Sequence, residues 1–256
     1  MISKNDLKQI WLKEQEAAQI HGWDFSHING RFEEEDDLPW DYRSIIHMYL
    51  NDEMRLLDID TGGGEFLLSL HHPHDLTSAT EGYPPNVKLC EKTLLPLGID
   101  FREMNSYDVM PFTDHSFDIV INRHGNYNAD ELYRVLKPKG LFITQQVGSD
   151  NDRELIELLC AESEKTFPSA NLKIQSEIFL NAGFTILKGE EAYRPIRFFD
   201  VGALVWFARI IEWEFRGFSV ENNFDGLLKA QELLEKNGSV DGTIHRYMIV
   251  AQKDSK

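Results

Sequence analysis

The sequence is poor in cysteine, poor in basic side chains and without a long hydrophobic run. Cys90 and Cys160 are its only cysteines. Two thiols make no disulfide framework and cannot complete a zinc site alone. The longest nearly apolar stretch, Val201 to Ile211, contains Arg209. It is far short of the roughly 20 residues a membrane helix needs. The opening MISKNDLKQI has no apolar core of the kind a secretory signal carries. Lysine and arginine total 26 against 43 acidic residues, for a net charge of -17. An extended nucleic-acid groove needs a basic face, so this balance argues against one. These absences lead to the expectation of a soluble cytoplasmic protein with no membrane span. What is present is a 42% hydrophobic fraction over 256 residues. That supports a real core and excludes a wholly disordered chain. The length suits one large domain or one domain with an inserted cap.

Along the chain, Asp6 to Ile20 places Leu7, Ile10, Trp11, Ala17 and Ala18 at helical spacing. The acidic run Glu33 to Asp37 reads as a solvated loop. From Met54 the pattern alternates. Short apolar strands are predicted at Met54–Asp60, Leu76–Thr80, Ile99–Met104, Phe117–Asn122, Leu141–Val147, Phe184–Leu187 and Thr243–Ala251, with helices between most of them. Pro84 and Pro85 suit a first helical turn. Asn128 and Glu131 resemble a capping box. Such alternation means a mostly parallel α/β sheet with helices on both faces. Residues 197–236 exceed a short crossover and read as a helical cap inserted before the last strand. Residues 1–45 read as an N-terminal helical lid, leaving 46–196 and 237–256 as the core of a single domain.

A ligand of an open α/β sheet sits at the carboxyl ends of the strands. Gly62-Gly63-Gly64 lies at the end of the first predicted strand, where glycines let backbone approach a ligand. A dinucleotide site wants a third glycine where Leu67 stands, which counts against a pyrophosphate. Glu81, 23 residues after Asp58 at the end of the second strand, is placed to accept bonds from ribose hydroxyls. A nucleoside ligand without a pyrophosphate fits these features, namely S-adenosylmethionine.

Four stretches carry a resemblance over residues 54–147. They are Leu57-Asp58-Ile59-Asp60-Thr61-Gly62-Gly63-Gly64-Glu65, Ala79-Thr80-Glu81-Gly82-Tyr83, Pro111 to Val120, and Arg134-Val135-Leu136-Lys137-Pro138-Lys139-Gly140. In this order they resemble the class I S-adenosylmethionine-dependent methyltransferases. The resemblance implies a Rossmann-like, seven-stranded sheet with an antiparallel last strand. It also implies S-adenosylmethionine as cofactor and S-adenosylhomocysteine as product. By the same resemblance Asp58, Gly62 and Gly64 would face the methionine half and Glu81 the ribose. Gly82, Tyr83, Ser106 and Tyr107 would lie near the adenine, and Asn122 and Arg123 beside the sulfonium. Asp60 replaces the family's usual first glycine, so it would either weaken cofactor binding or hold the cationic methionine end. Lys139 replaces the middle residue of the usual Pro-Gly-Gly and reads as a harmless surface change.

Methyl transfer needs alignment and exclusion of water, and a general base only if the acceptor has a proton to lose. His124, directly after the fourth strand, is the candidate base, because histidine titrates near neutrality. One of Gln145 and Gln146 should point inward by strand alternation. His71, His72 and His74 lack converging partners, so no metal site is expected. Cap aromatics such as Trp206 and Phe207 suit a core or a flat, partly apolar acceptor. The expected activity is methyl transfer to a small molecule. The competing readings are an RNA-base methyltransferase and a non-catalytic S-adenosylmethionine-binding protein.

Overall fold

The computed structural model describes residues 3–19, 25–34, 37–161 and 164–255. Trp23, read as part of the lid, and Glu35 and Asp36 of the acidic run lie outside the described residues. In chain order the elements are α1 (Lys4–Ala17), β1 (Phe32–Glu34), α2 (Tyr42–Tyr49), β2 (Leu56–Ile59), α3 (Glu65–Leu68), β3 (Thr77–Glu81) and α4 (Pro84–Thr93). They continue as β4 (Asp100–Glu103), β5 (Phe117–Arg123), α5 (Ala129–Val135), β6 (Leu136–Val147), α6 (Arg153–Leu159) and α7 (Leu172–Asn181). The last are β7 (Phe184–Phe198), α8 (Val201–Ile210), α9 (Phe224–Asn237) and β8 (Val240–Lys253).

The sheet order is β1-β7-β8-β6-β5-β2-β3-β4. Strands β2, β3, β4, β5 and β6 pair in parallel, and β8 runs antiparallel to β6. Every residue of β2 and β3 is buried, as expected of central strands covered on both faces. The chain reverses its direction of sheet growth between β2 and β5, and that is where such sheets bind ligands.

Among the described residues the sheet has eight strands rather than seven. The addition is β1, in a segment read as helical lid and acidic loop. It pairs antiparallel with β7, Phe32 opposite Phe198 and Glu34 opposite Ile196. Glutamates give a three-residue strand little intrinsic preference, and the Phe32 ring stacked on Phe198 at 5.9 Å supplies a tertiary contact that sequence patterning does not reveal. β7 is also longer than Phe184–Leu187. It runs through Arg197 and Phe198, so the helical stretch begins at Val201. Its charged residues alternate with half-buried ones, a weaker signal than an apolar run.

Two compact units are distinguished. The first comprises residues 1–38, 148–168 and 192–245. Its core is Trp11, Ile28, Phe198, Leu204, Trp206, Phe207 and Phe215 among others, so most of the aromatic cap residues are core. The second comprises residues 39–147, 169–191 and 246–256. Its core includes Leu57, Ile59, Val120, Phe142, Phe179 and Ile249. Full burial of one such side chain is worth about 1.5–3 kcal/mol. Among the described residues no helix is long and apolar enough to cross a membrane.

Local capping explains several boundaries. Ser3 caps α1 by accepting the Asp6 amide at 3.2 Å. Asn128 caps α5 by accepting the amides of Asp130 and Glu131. Glu131 does not return the bond to close a capping box. It accepts the Met110 amide and pairs with Arg134. α3 follows Gly64, whose φ of 86° is left-handed. A Cβ there would lie 2.8 Å from Leu94 Cδ2. Gly64→Ala should therefore cost about 2–4 kcal/mol, a left-handed alanine plus a packed clash. Gly98→Ala, also left-handed but in open space, should cost only about 1–2 kcal/mol. Urea denaturation of both variants checks this, and equal losses would remove the Leu94 contact from the account.

Candidate cofactor cleft

The site is built within the second unit, where β2, β3 and β5 end side by side. The turn after β2 is held from β3: the Thr61 amide donates to Thr80 O at 3.0 Å. Gly62 adopts φ 65°, with nothing within 4 Å of the place a Cβ would take. Its amide donates to Glu81 Oε2 at 2.8 Å. Glu81 Oε1 accepts the amides of Gly82 and Tyr83 at 2.8 and 2.9 Å. Asn86 Nδ2 reaches Oε2 at a long 3.4 Å. One buried carboxylate thus binds the turns after β2 and β3 together.

Asp58 and Asp60 flank this turn. Asp58 is buried and accepts the Thr61 hydroxyl at 2.7 Å. Burial pushes its carboxyl up to about 7, and neighbouring Asp60 and Glu81 add to the rise against Thr61 and Arg123. Asp60 has φ 55°, a conformation aspartate tolerates better than most residues. Its Oδ2 accepts the Tyr107 hydroxyl at 2.5 Å and the Asn126 amide at 3.2 Å. Burial raises this carboxyl too, opposed by the Tyr107 bond.

At the end of β5, Asn122 is fully buried. Its Nδ2 donates to Ile59 O at 2.9 Å, tying β5 to β2, and its Oδ1 accepts Gln146 Nε2 at 2.5 Å. The Tyr42 hydroxyl lies 3.0 Å from Asn122 O and 2.9 Å from Ile143 O. Arg123 is exposed, its guanidinium over the Phe66 ring at 4.7 Å. His124 follows at φ 61°. The residue is exposed at the cleft, yet the protein around the ring and the guanidinium groups of Arg246 and Arg123 hold its imidazole below its ordinary value.

A cleft of about 390 Å³ opens here, lined by Asp60, Glu81, Gly82, Tyr83, Met104, Asn105, Tyr107, Arg123, His124 and Gly125. Small-molecule sites span roughly 300–1,000 Å³. Seven of the twelve residues expected from the sequence line it. Asp58, Gly62, Gly64 and Asn122 are not in the lining; they bond or shape the turns that carry it. Ser106 faces Asp108 instead, its hydroxyl 3.3 Å from Oδ2. Met104, Asn105 and Gly125 were not expected. Gly125 has a signal only in three dimensions: a Cβ there would fall 2.5 Å from Asp60 Oδ2. Trp40 and Tyr42 fall in the segment 1–45 read as a lid, yet Trp40 Nε1 donates to Gln145 Oε1 at 2.8 Å. Of the two glutamines, Gln146 is the buried one, held on Asn122.

The donor set suits S-adenosylmethionine. Carboxylates crowd the turn where a cationic methionine end would lie, and Glu81 offers acceptors for ribose hydroxyls. Among the described residues no group of three His, Cys, Asp or Glu is placed to hold a metal ion. His72 instead bonds Met54 O at 2.8 Å.

Residues 57–144 match the family model of a methyltransferase domain. A Mycobacterium ulcerans (strain Agy99) protein, named as a probable phthiotriol/phenolphthiotriol dimycocerosates methyltransferase 2, is 28% identical over 151 residues. The match covers 55% of this chain and 54% of that protein, so the chain spans about half the length of this relative. A candidate methyltransferase from Bacillus halodurans superposes with a TM-score of 0.58 at 16% identity, over 84% of this chain and 99% of its own. An S-adenosylmethionine-dependent methyltransferase from Methanosarcina mazei gives 0.52 at 17% identity, over 87% and 100%. At such identities the two structures speak for the fold alone. Residues 57–144 are thus matched as a methyltransferase domain, on a fold shared with both structures.

Asp58 yields a pH signature. Its folded value, about 7, lies above the ordinary 3.9 of an unfolded aspartate. The folded state then holds the extra proton between these values. The neutral-form stabilisation is complete below about 3.9 and is lost as pH rises through about 7. Asp58→Asn, which stays neutral, should gain stability relative to the parent protein from pH 4 to pH 8. Urea midpoints across that range check it, and a constant difference would show that Asp58 titrates normally.

Proposed function

We propose that the protein is an S-adenosylmethionine-dependent methyltransferase that methylates a small, partly apolar molecule. The observation that carries this reading is the Glu81 carboxylate beneath a cleft that is acidic at Asp60 and basic at Arg123. When bound, S-adenosylmethionine supplies a methyl carbon activated by positive sulfur. Glu81 Oε2 would accept a ribose hydroxyl in place of its long bond from Asn86. Asp60 would stabilise the cationic methionine end, held in position by Tyr107 and Asn126. Gly62, Asp58 and Gly64 would shape the turn around that end. Gly82, Tyr83, Tyr107 and, less directly, Ser106 would border the adenine, while Asn122 and Arg123 border the sulfonium. The Mycobacterium ulcerans relative is named for phthiotriol and phenolphthiotriol dimycocerosates, which supports an apolar acceptor over a nucleic acid. The charge of -17 favours it over an RNA base. A cytoplasmic location belongs to the same proposal.

Calorimetry with S-adenosylmethionine and S-adenosylhomocysteine tests the cofactor. Glu81→Ala should weaken binding by roughly 1.5–3 kcal/mol, the worth of hydrogen bonds to a charged acceptor. Unchanged affinity in the folded variant would remove the ribose assignment. Methyl release from labelled cofactor, assayed over metabolite extracts and RNA, separates the small-molecule enzyme from an RNA enzyme and from a pure binder.

The lid role of residues 1–45 and 197–236 is part of this proposal. S-adenosylhomocysteine should slow hydrogen exchange in both segments. No added protection in either would leave the closing role to other residues.

A further inference from the structure

Three polar side chains at the open end of β5 and β6 fix one another's protons. The Trp40 indole can only donate, and its Nε1 lies 2.8 Å from Gln145 Oε1. That contact sets the orientation of the Gln145 amide, because its NH2 group would meet the indole N–H donor to donor. The amide nitrogen therefore faces away, and it lies 3.3 Å from His124 Nε2. An amide NH2 has no lone pair to offer, so His124 Nε2 must be the acceptor. A neutral imidazole with Nε2 accepting carries its hydrogen on Nδ1.

The surroundings keep that imidazole neutral. Arg123 and Arg246 both oppose a second proton, and the Gln145 NH2 occupies the nitrogen that would take it. Asp60, a carboxylate of the cleft lining, is engaged by Tyr107 and the Asn126 amide. Among the described residues no protein acceptor meets His124 Nδ1. The backbone is committed as well, with the His124 amide donating to Gln145 O at 2.9 Å. His124 thus stands in the cleft beside Arg123 with one N–H to give and no free lone pair.

We propose that Trp40 and Gln145 are positioning residues that lock His124 as an Nδ1–H donor, and that His124 and Arg123 together receive an oxyanion on the methyl acceptor. The second part rests on the methyltransferase reading; the first does not. An acceptor held as an anion has no proton to surrender, so this site needs a donor pair and not a general base.

Nitrogen-15 NMR of the histidine side chains reads the tautomer directly. The parent protein should show His124 neutral, with hydrogen on Nδ1, from pH 8 down to pH 5. In Gln145→Glu a carboxylate accepts from both Trp40 and His124. The hydrogen should then move to Nε2, and the titration midpoint should rise by about one unit or more. In Trp40→Phe the amide is free to turn over, and both tautomers should appear. An Nε2–H tautomer in the parent protein, or the same pattern in both variants, overturns the lock. For the acceptor, benzoate serves as an oxyanion probe and benzylamine as its cationic counterpart. Benzoate should shift the His124 Nδ1 resonance and benzylamine should not. No shift with benzoate, or a shift with benzylamine, overturns the oxyanion assignment. None of these readouts needs cofactor, so loss of S-adenosylhomocysteine binding would sink the methyltransferase reading and leave the tautomer result standing.

Discussion

The Glu81 carboxylate is the point on which the cleft depends. Three backbone amides, those of Gly62, Gly82 and Tyr83, end on its two oxygens at 2.8–2.9 Å. Each amide sits where a strand has ended and no ladder partner is left. A buried carboxylate without donors would be costly, and so would the amides without an acceptor. Their union solves both problems and fixes the distance between the turns after β2 and β3. Cys90 holds Gly62 from its other side, Sγ to carbonyl oxygen at 3.1 Å. Burial, with the nearby carboxylates, pushes that thiol up to about 12, so it stays a neutral donor.

The β5 side is organised on the same principle with neutral groups. Asn122 uses its amide nitrogen toward Ile59 O, its amide oxygen toward Gln146, and its backbone carbonyl toward Tyr42. A fully buried asparagine requires this degree of satisfaction. The result is that Arg123 and His124 leave the sheet from a rigid base. Acidic groups and cationic or donor groups then share the cleft lining, a combination suited to a cationic cofactor beside an anionic acceptor.

Much of this was legible in the sequence because the relevant signals are local. The glycine turn, the acid at the end of β3 and the apolar run of β5 each occupy a few consecutive residues. Helix starts were legible for the same reason, as with Pro84 and Asn128. What escaped depends on distant partners. β1 exists because Phe32 meets Phe198 across 166 residues of sequence. Trp40 and Tyr42 enter the site because the start of α2 and the residues just before it meet β5 and β6, and aromatic content alone suggests only burial. The tautomer of His124 is set by a residue 21 positions away, so the sequence could name a histidine after a strand without saying which nitrogen carries the proton.

The two departures from the family pattern separate once backbone angles are known. Asp60 and Lys139 both replace residues of glycine motifs, and both are left-handed, at φ 55° and 64°. Non-glycine residues pay for that conformation, roughly 1–2 kcal/mol each. At Asp60 the cost is offset: the side chain gains the Tyr107 hydroxyl and the Asn126 amide, and Gly125 leaves it room. Asp60 and Gly125 are in this sense one feature, since a Cβ at 125 would strike the carboxylate. Lys139 has no comparable return. Its backbone carbonyl accepts Gln252 Nε2 at 3.2 Å, a bond that glycine would keep. The substitution that reads as harmless on the sequence therefore carries the uncompensated strain. The one that reads as a threat to the cofactor turn is bonded into it, and its carboxylate lines the cleft.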